Sequence, residues 1–155
     1  MNESSSARAP APVHLWIVGV LSLLWNCVGA YDYIATKLVD RAYIASMTEP
    51  MGVDADSAIA YFTGFPLWMN VAWAVGVWAA LAGSVLLLLR SRYAFHAFVL
   101  SLAGIVGAAY YQFVANPYPG LTDSAIPMAF SVAIVLITAG LAWYARAMTG
   151  KGILR

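Results

Sequence analysis

Asn26, Asp32 and Tyr33 place an amide, a carboxylate and a phenol inside an otherwise apolar run, Trp25-Asn26-Cys27-Val28-Gly29-Ala30-Tyr31-Asp32-Tyr33. Away from water such groups need partners, and a carboxylate there is costly unless it is paired or used. Two kinds of chemistry fit these residue types. One is hydrogen bonding between helices, and the other is contact with a polar ligand or a transferred proton. For Asp32 the partners in view are the nearby cations Lys37 and Arg41, or polar groups from other segments: Asn70, Tyr111 and Gln112. Trp68, with further Trp and Tyr residues at the same level, supplies stacking faces of the kind a sugar-like ligand uses beside amide and carboxylate groups. The candidate cluster is therefore Asn26, Asp32, Tyr33, Trp68, Asn70, Tyr111 and Gln112.

Other chemistry lacks a basis. There is no Ser-His-Asp set, HExxH, CxxC or phosphate-cradling glycine loop, so catalysis is not expected. The single cysteine, Cys27, excludes an internal disulfide and reads as a small packing residue. Asp54-Ala55-Asp56 offers too few oxygens for a calcium loop and suits helix capping instead. His14 and His96 both fall near one membrane boundary, and a haem or redox subunit would rest on these two alone. No metal and no cofactor is expected.

The elements that position the cluster follow from composition. Of 155 residues 63% are hydrophobic and 10% charged, against roughly 25% charged in a soluble domain. The charges sit in breaks between long apolar runs, which predicts one all-α domain, an integral membrane four-helix bundle. Its spans are about 13–37, 65–89, 93–115 and 125–146, each near the ~20 residues a bilayer core requires. Val28-Gly29-Ala30 resembles a signal-peptidase site, but the charged and polar residues around it favour retention as a span. Residues 1–12 read as a disordered tail and 147–155 as a cytoplasmic tail. Between spans one and two, the acidic segment predicts two short interfacial helices. The first ends before Pro50; the second begins at Asp54 or Asp56 and buries Ile59, Tyr61 and Phe62. Asn116-Pro117-Tyr118-Pro119-Gly120 is a turn signal, and Asp123 or Ser124 is placed to cap the last helix.

Cations set the orientation, because Lys and Arg beside spans stay cytoplasmic. Six of the eight, Arg8, Arg90, Arg92, Arg146, Lys151 and Arg155, fall on one side, and Lys37 and Arg41 on the other. Both termini and the Arg90–Arg92 turn are thus expected in the cytoplasm. At about 1.5 Å rise per residue, Asn26 lies just past the midplane and Asp32 near the outer boundary. Small residues recur at helical spacing along Gly19, Ser22, Asn26, Gly29 and Tyr33, and along Ala97, Ser101, Gly104, Ala108, Tyr111 and Ala115. Ala72, Gly76, Ala79 or Ala80, and Gly83 mark span two; Ser131 and Thr138 mark the inward side of span four. Such stripes let helices approach closely in lipid, and the four are expected to close into a bundle.

Trp25-Asn26, Gly29, Asp32-Tyr33, Tyr43, Tyr61-Phe62, Phe65-Pro66, Trp68, Trp73-Ala74, Gly76-Val77-Trp78, Gly83-Ser84 and the Leu86–Arg90 run together resemble an uncharacterised family of small four-span bacterial inner-membrane proteins. Some of its members carry the label sugar transporter. The resemblance spans about residues 13–113 and implies a bacterial inner membrane, with the Asn26 and Asp32 segment as a shared feature. The chain lacks the three-span repeat and paired prolines of small sugar carriers, and its halves show no inverted-repeat similarity. The expected function is an accessory or binding protein whose polar, aromatic cluster lies in the outer half of the bundle. The alternative is a small oligomeric transporter of a sugar-like or other small polar solute. Expected partners are the lipid bilayer and either further copies of the chain or a larger membrane complex, not nucleic acid.

Overall fold

Long apolar runs, interrupted in the first by the single carboxylate of Asp32, leave the backbone to satisfy its own hydrogen bonds, and here each run becomes a helix. The computed structural model describes residues 11–118 and 125–155. Most of the expected N-terminal tail, Arg8, and the proposed caps Asp123 and Ser124 lie outside the described residues. All regular secondary structure among those described is helical, with no strand. In chain order the helices are α1 (Val13–Lys37), α2 (Arg41–Thr48), α3 (Ala55–Thr63), α4 (Leu67–Leu88), α5 (Tyr93–Tyr110) and α6 (Ala125–Gly150). A π-helical turn, Tyr111–Ala115, prolongs α5. Four of these, α1, α4, the α5 segment and α6, are long and apolar enough to cross a membrane. Their outer faces expose large apolar side chains such as Leu21, Leu67, Leu136 and Trp143, which is compatible with lipid contact.

Helix ends follow local chemistry. Asp40 caps α2 by accepting from the Tyr43 backbone N–H at 3.1 Å, and Asp54 caps α3 by accepting from Asp56 and Ser57. Hydrogen bonds from Ser57 hold the Asp54 carboxyl below its usual range. The α1–α2 turn passes through Val39 at φ +57°, a left-handed conformation that β-branched residues rarely adopt. Two boundaries differ from expectation. The second span, expected from about residue 65, starts as α4 at Leu67, with Pro66 before it as an extended cap. The last helix runs four residues beyond Arg146, because Met148 is still buried against the core. Residues that follow fold back on the Arg90 turn, where Arg92 N–H donates to Arg155 O and Arg155 N–H donates to Arg90 O.

Packing follows the small-residue stripes on α4 and α5, which share the closest seam of the fold. Ser101 Oγ donates to Gly76 O at 2.6 Å across it, and the Phe98 ring fills the space left by Gly83. On the opposite side, α1 meets α4 through Gly19, over which Leu88 lies, and through Asn26. The fourth seam is missing: among the described residues α1 and α6 share no continuous packed interface. The expected closed bundle is therefore an arc in the order α1, α4, α5, α6. Its ends converge only where the termini and the Arg90 turn lie. There Leu15, Leu87, Phe98, Leu141, Ala145, Met148 and Leu154 form one buried cluster, and His14 Nδ1 shares a 2.5 Å hydrogen bond with Tyr144. Cys27, expected as a packing residue, is instead exposed on the outside of α1.

Candidate functional site

Because α1 and α6 diverge away from the termini, the arc encloses a cavity of about 410 Å³. All four long helices wall it, and α2 and α3 lie across its far end through Tyr43, Ile44, Met47, Tyr61 and Phe62. It reaches down to Asn26 and Thr138, near the middles of α1 and α6. The walls are mostly apolar and aromatic: Trp25, Trp73, Phe113 and Phe130 join the residues of α2 and α3. Few polar groups interrupt them, the usual make-up of a small-molecule site.

Of the seven residues singled out from sequence, three line this cavity: Asn26, Asp32 and Gln112. Asn26 is the structural member. Its Nδ2 donates to Ser84 Oγ at 2.8 Å and to Ala80 O at 3.3 Å, fastening α1 to α4. Asp32 takes neither of the partner sets expected for it. Its Oδ1 accepts from the Tyr43 hydroxyl at 2.8 Å, while Lys37 donates to Asn70 Oδ1 and Arg41 pairs with Asp56. The reason is geometric: after the left-handed turn at Val39, Tyr43 of α2 lies over the carboxylate, while Lys37 reaches across to Asn70 of α4, over the Trp73 ring, and Arg41 to Asp56 of α3. Burial raises the pKa of Tyr43, reinforced by its hydrogen bond to Asp32, so the phenol stays a donor. Gln112 and Ser131 face the cavity with no protein hydrogen-bond partner among the described residues.

The other four lie outside the lining. Tyr33 packs edge-on against Trp73 and Trp78, and Trp68 against Tyr111. Asn70 caps the α3–α4 connection by donating to Phe65 O and Pro66 O. Tyr111 is buried with Phe65 and Met69, and its hydroxyl accepts from Asn116 Nδ2. Sequence reasoning did not select Tyr43, Thr36 or Phe130 for the site. For Tyr43 a signal was present, since Tyr43, Ile44, Met47 and Thr48 fall on one face of a short helix.

No family model matches the chain, and no curated protein or solved structure matches it either.

Tyr61, beside the cavity, donates to Asn116 O at 2.9 Å and stacks on Tyr118, tying α3 to the end of the α5 segment. Burial, with a smaller contribution from Tyr111, pushes its phenol up to about 12. In the unfolded chain a tyrosine ionises near pH 10. Between about pH 10 and 12 the unfolded chain therefore loses a proton that the folded chain keeps, and stability falls as pH rises. Tyr43 acts in the same direction. Thermal unfolding should show a midpoint that declines across this window, with a shallower decline in Tyr61→Phe. An identical slope in the variant would refute the assignment to Tyr61.

Proposed function

We propose that this protein is a multi-pass membrane protein that acts by binding a small molecule in the cavity between α1 and α6, as a binding or accessory subunit of a bacterial inner membrane. The observation that carries this reading is the cavity's make-up: about 410 Å³ walled by aromatic residues, with Asp32, Gln112 and Ser131 supplying a few polar contacts. Ligand sites of roughly 300–1,000 Å³ share this pattern. The distribution of cations supports cytoplasmic termini, which puts the cavity in the outer half of the membrane.

Transport of a polar solute is the alternative. It needs a second path through the end where the termini lie, and there Leu15, Leu87, Phe98 and Leu154 are at most 2% exposed. Opening that plug would expose the largest buried cluster of the fold, so binding without passage accounts better for the arrangement.

Mass spectrometry of solvent extracts tests the reading. Protein purified in mild detergent should release a specific compound, and a Gln112→Leu/Ser131→Val variant should retain about tenfold less of it, the loss of roughly 1.4 kcal/mol of hydrogen bonding. Equal recovery from both proteins, or recovery of bulk lipid alone, would remove the cavity as a binding site. Uptake of a solute that stops in Asp32→Asn cells, with the protein still folded and inserted, would favour transport.

A further inference from the structure

Granting that the cavity is a ligand site, as proposed above, we infer that its ligand is an amphiphile that enters from the lipid phase through the gap between α1 and α6. Its head group is an uncharged or cationic hydrogen-bond donor, an alcohol or an amine, placed against Asp32.

The route follows from which lining residues remain exposed. They include Val28 at 67%, Phe130 at 56%, Met47 at 52% and Trp25 at 37%. These come from α1, α2 and α6, so the mouth lies between α1 and α6 and beneath α2. All four are apolar, and in a bilayer a mouth so lined faces acyl chains. Trp25 and Phe130, with ring centroids 6.1 Å apart, bound it on the side nearer the termini. Access from the aqueous end is covered by α2 and α3. Ile44, Val53 and Ala58 form a buried cluster between these helices, and Tyr61 fastens α3 to Asn116. A polar solute from water would have to displace that cover. A chain already dissolved in lipid has only to slide between two helices that share no packed seam.

Charge selects the head group. Among the described residues the lining holds one carboxylate, Asp32, and no Lys, Arg or His. The nearest cations on the sequence are engaged elsewhere, Lys37 with Asn70 and Arg41 with Asp56. A phosphate or carboxylate head would lie beside Asp32 in apolar surroundings with no counter-charge, which is strongly unfavourable. A hydroxyl or ammonium has the opposite relation. Tyr43 occupies Asp32 Oδ1, and no described residue donates to Oδ2. Gln112 and Ser131 offer further contacts to the head, while the aromatic walls accept the start of the tail.

Photolabelling of the full-length protein in phosphatidylcholine vesicles tests this. The probe is a C16 alcohol carrying a diazirine, with hexadecanol, hexadecylamine and hexadecyl phosphate as competitors. Labelling should map to Val28, Phe113 and Phe130, and be suppressed by the alcohol and the amine at concentrations about tenfold below those the phosphate requires, a difference of roughly 1.4 kcal/mol. Asp32→Asn should narrow that difference by admitting the phosphate. The comparison of competitors on the wild-type protein stands even if this variant fails to fold. Equal competition by all three would overturn the head-group assignment while leaving the cavity as a binding site. Labelling confined to the outward Trp16 and Trp143, with no competition, would overturn access from the lipid. If in addition no compound co-purifies, the binding function itself falls.

Discussion

Gly104→Ala should destabilise the protein by about 2–3 kcal/mol, and Gly104→Leu should prevent folding. A Cβ at Gly104 would sit 2.5 Å from both Ala72 O and Gly76 N and 2.9 Å from Gly76 Cα. All three are backbone atoms of α4, so no side-chain rotation relieves the contact and the helices must separate. Separation lengthens the 2.6 Å bond from Ser101 to Gly76 O and loosens the fit of the Phe98 ring against Gly83. Helices in lipid associate largely through close van der Waals contact, so there is little else to compensate. Thermal unfolding in detergent, read by size-exclusion profile, measures the effect. A Gly104→Ala protein with an unchanged midpoint would show that α4 and α5 are not in backbone contact.

Gly29→Leu should do the reverse, keeping the fold and abolishing ligand retention. Gly29 lines the cavity, and a Cβ built there meets nothing within 4 Å. A leucine side chain would enter the open space beside Gly29 without moving the backbone. Removing a glycine from a helix interior stabilises it by about 0.5–1 kcal/mol, and filling apolar space adds to this. The expected result is a midpoint at or above that of the wild type, with the extractable compound reduced to background. A folded Gly29→Leu protein that retains the compound at the wild-type level would show that the ligand lies elsewhere. A protein that unfolds would show that the cavity is narrower than its lining indicates. Gly29 and Gly104 are both small residues at helical spacing in long helices, yet one borders empty space and the other a neighbouring backbone.

That contrast marks how far the sequence could be read. Run length and the placement of charge sufficed for four long helices, because twenty or so largely apolar residues have no better solution than a continuous helix. Asp54 announced α3 through local capping, a preference that depends only on a few neighbours, whereas the matching cap of α2 by Asp40 emerged only in the structure. The stripe through Ser101, Gly104 and Ala108 was legible because helix periodicity fixes which side chains share a face. Of the candidate site, Asn26, Asp32 and Gln112 were identified by being polar where polar groups are costly. Tyr33, Trp68, Asn70 and Tyr111 have the same character and similar depth, and yet they pack in the neighbouring aromatic clusters and the α3–α4 connection.

The sequence by itself therefore determined the helices, their small-residue faces and the presence of a few polar groups among them, since each depends on composition, period or a local cap. Tertiary structure alone decided what those groups meet. Asp32 pairs with Tyr43 because, after the left-handed turn at Val39, α2 lays that residue over the carboxylate. The cavity exists because α1 and α6 do not pack along their length, a fact about the arrangement of four helices that no single helix encodes. A face can be read from its period, but its partner depends on how every other face has been satisfied. In this chain the α4–α5 contact takes the best-matched stripes and leaves α1 and α6 apart.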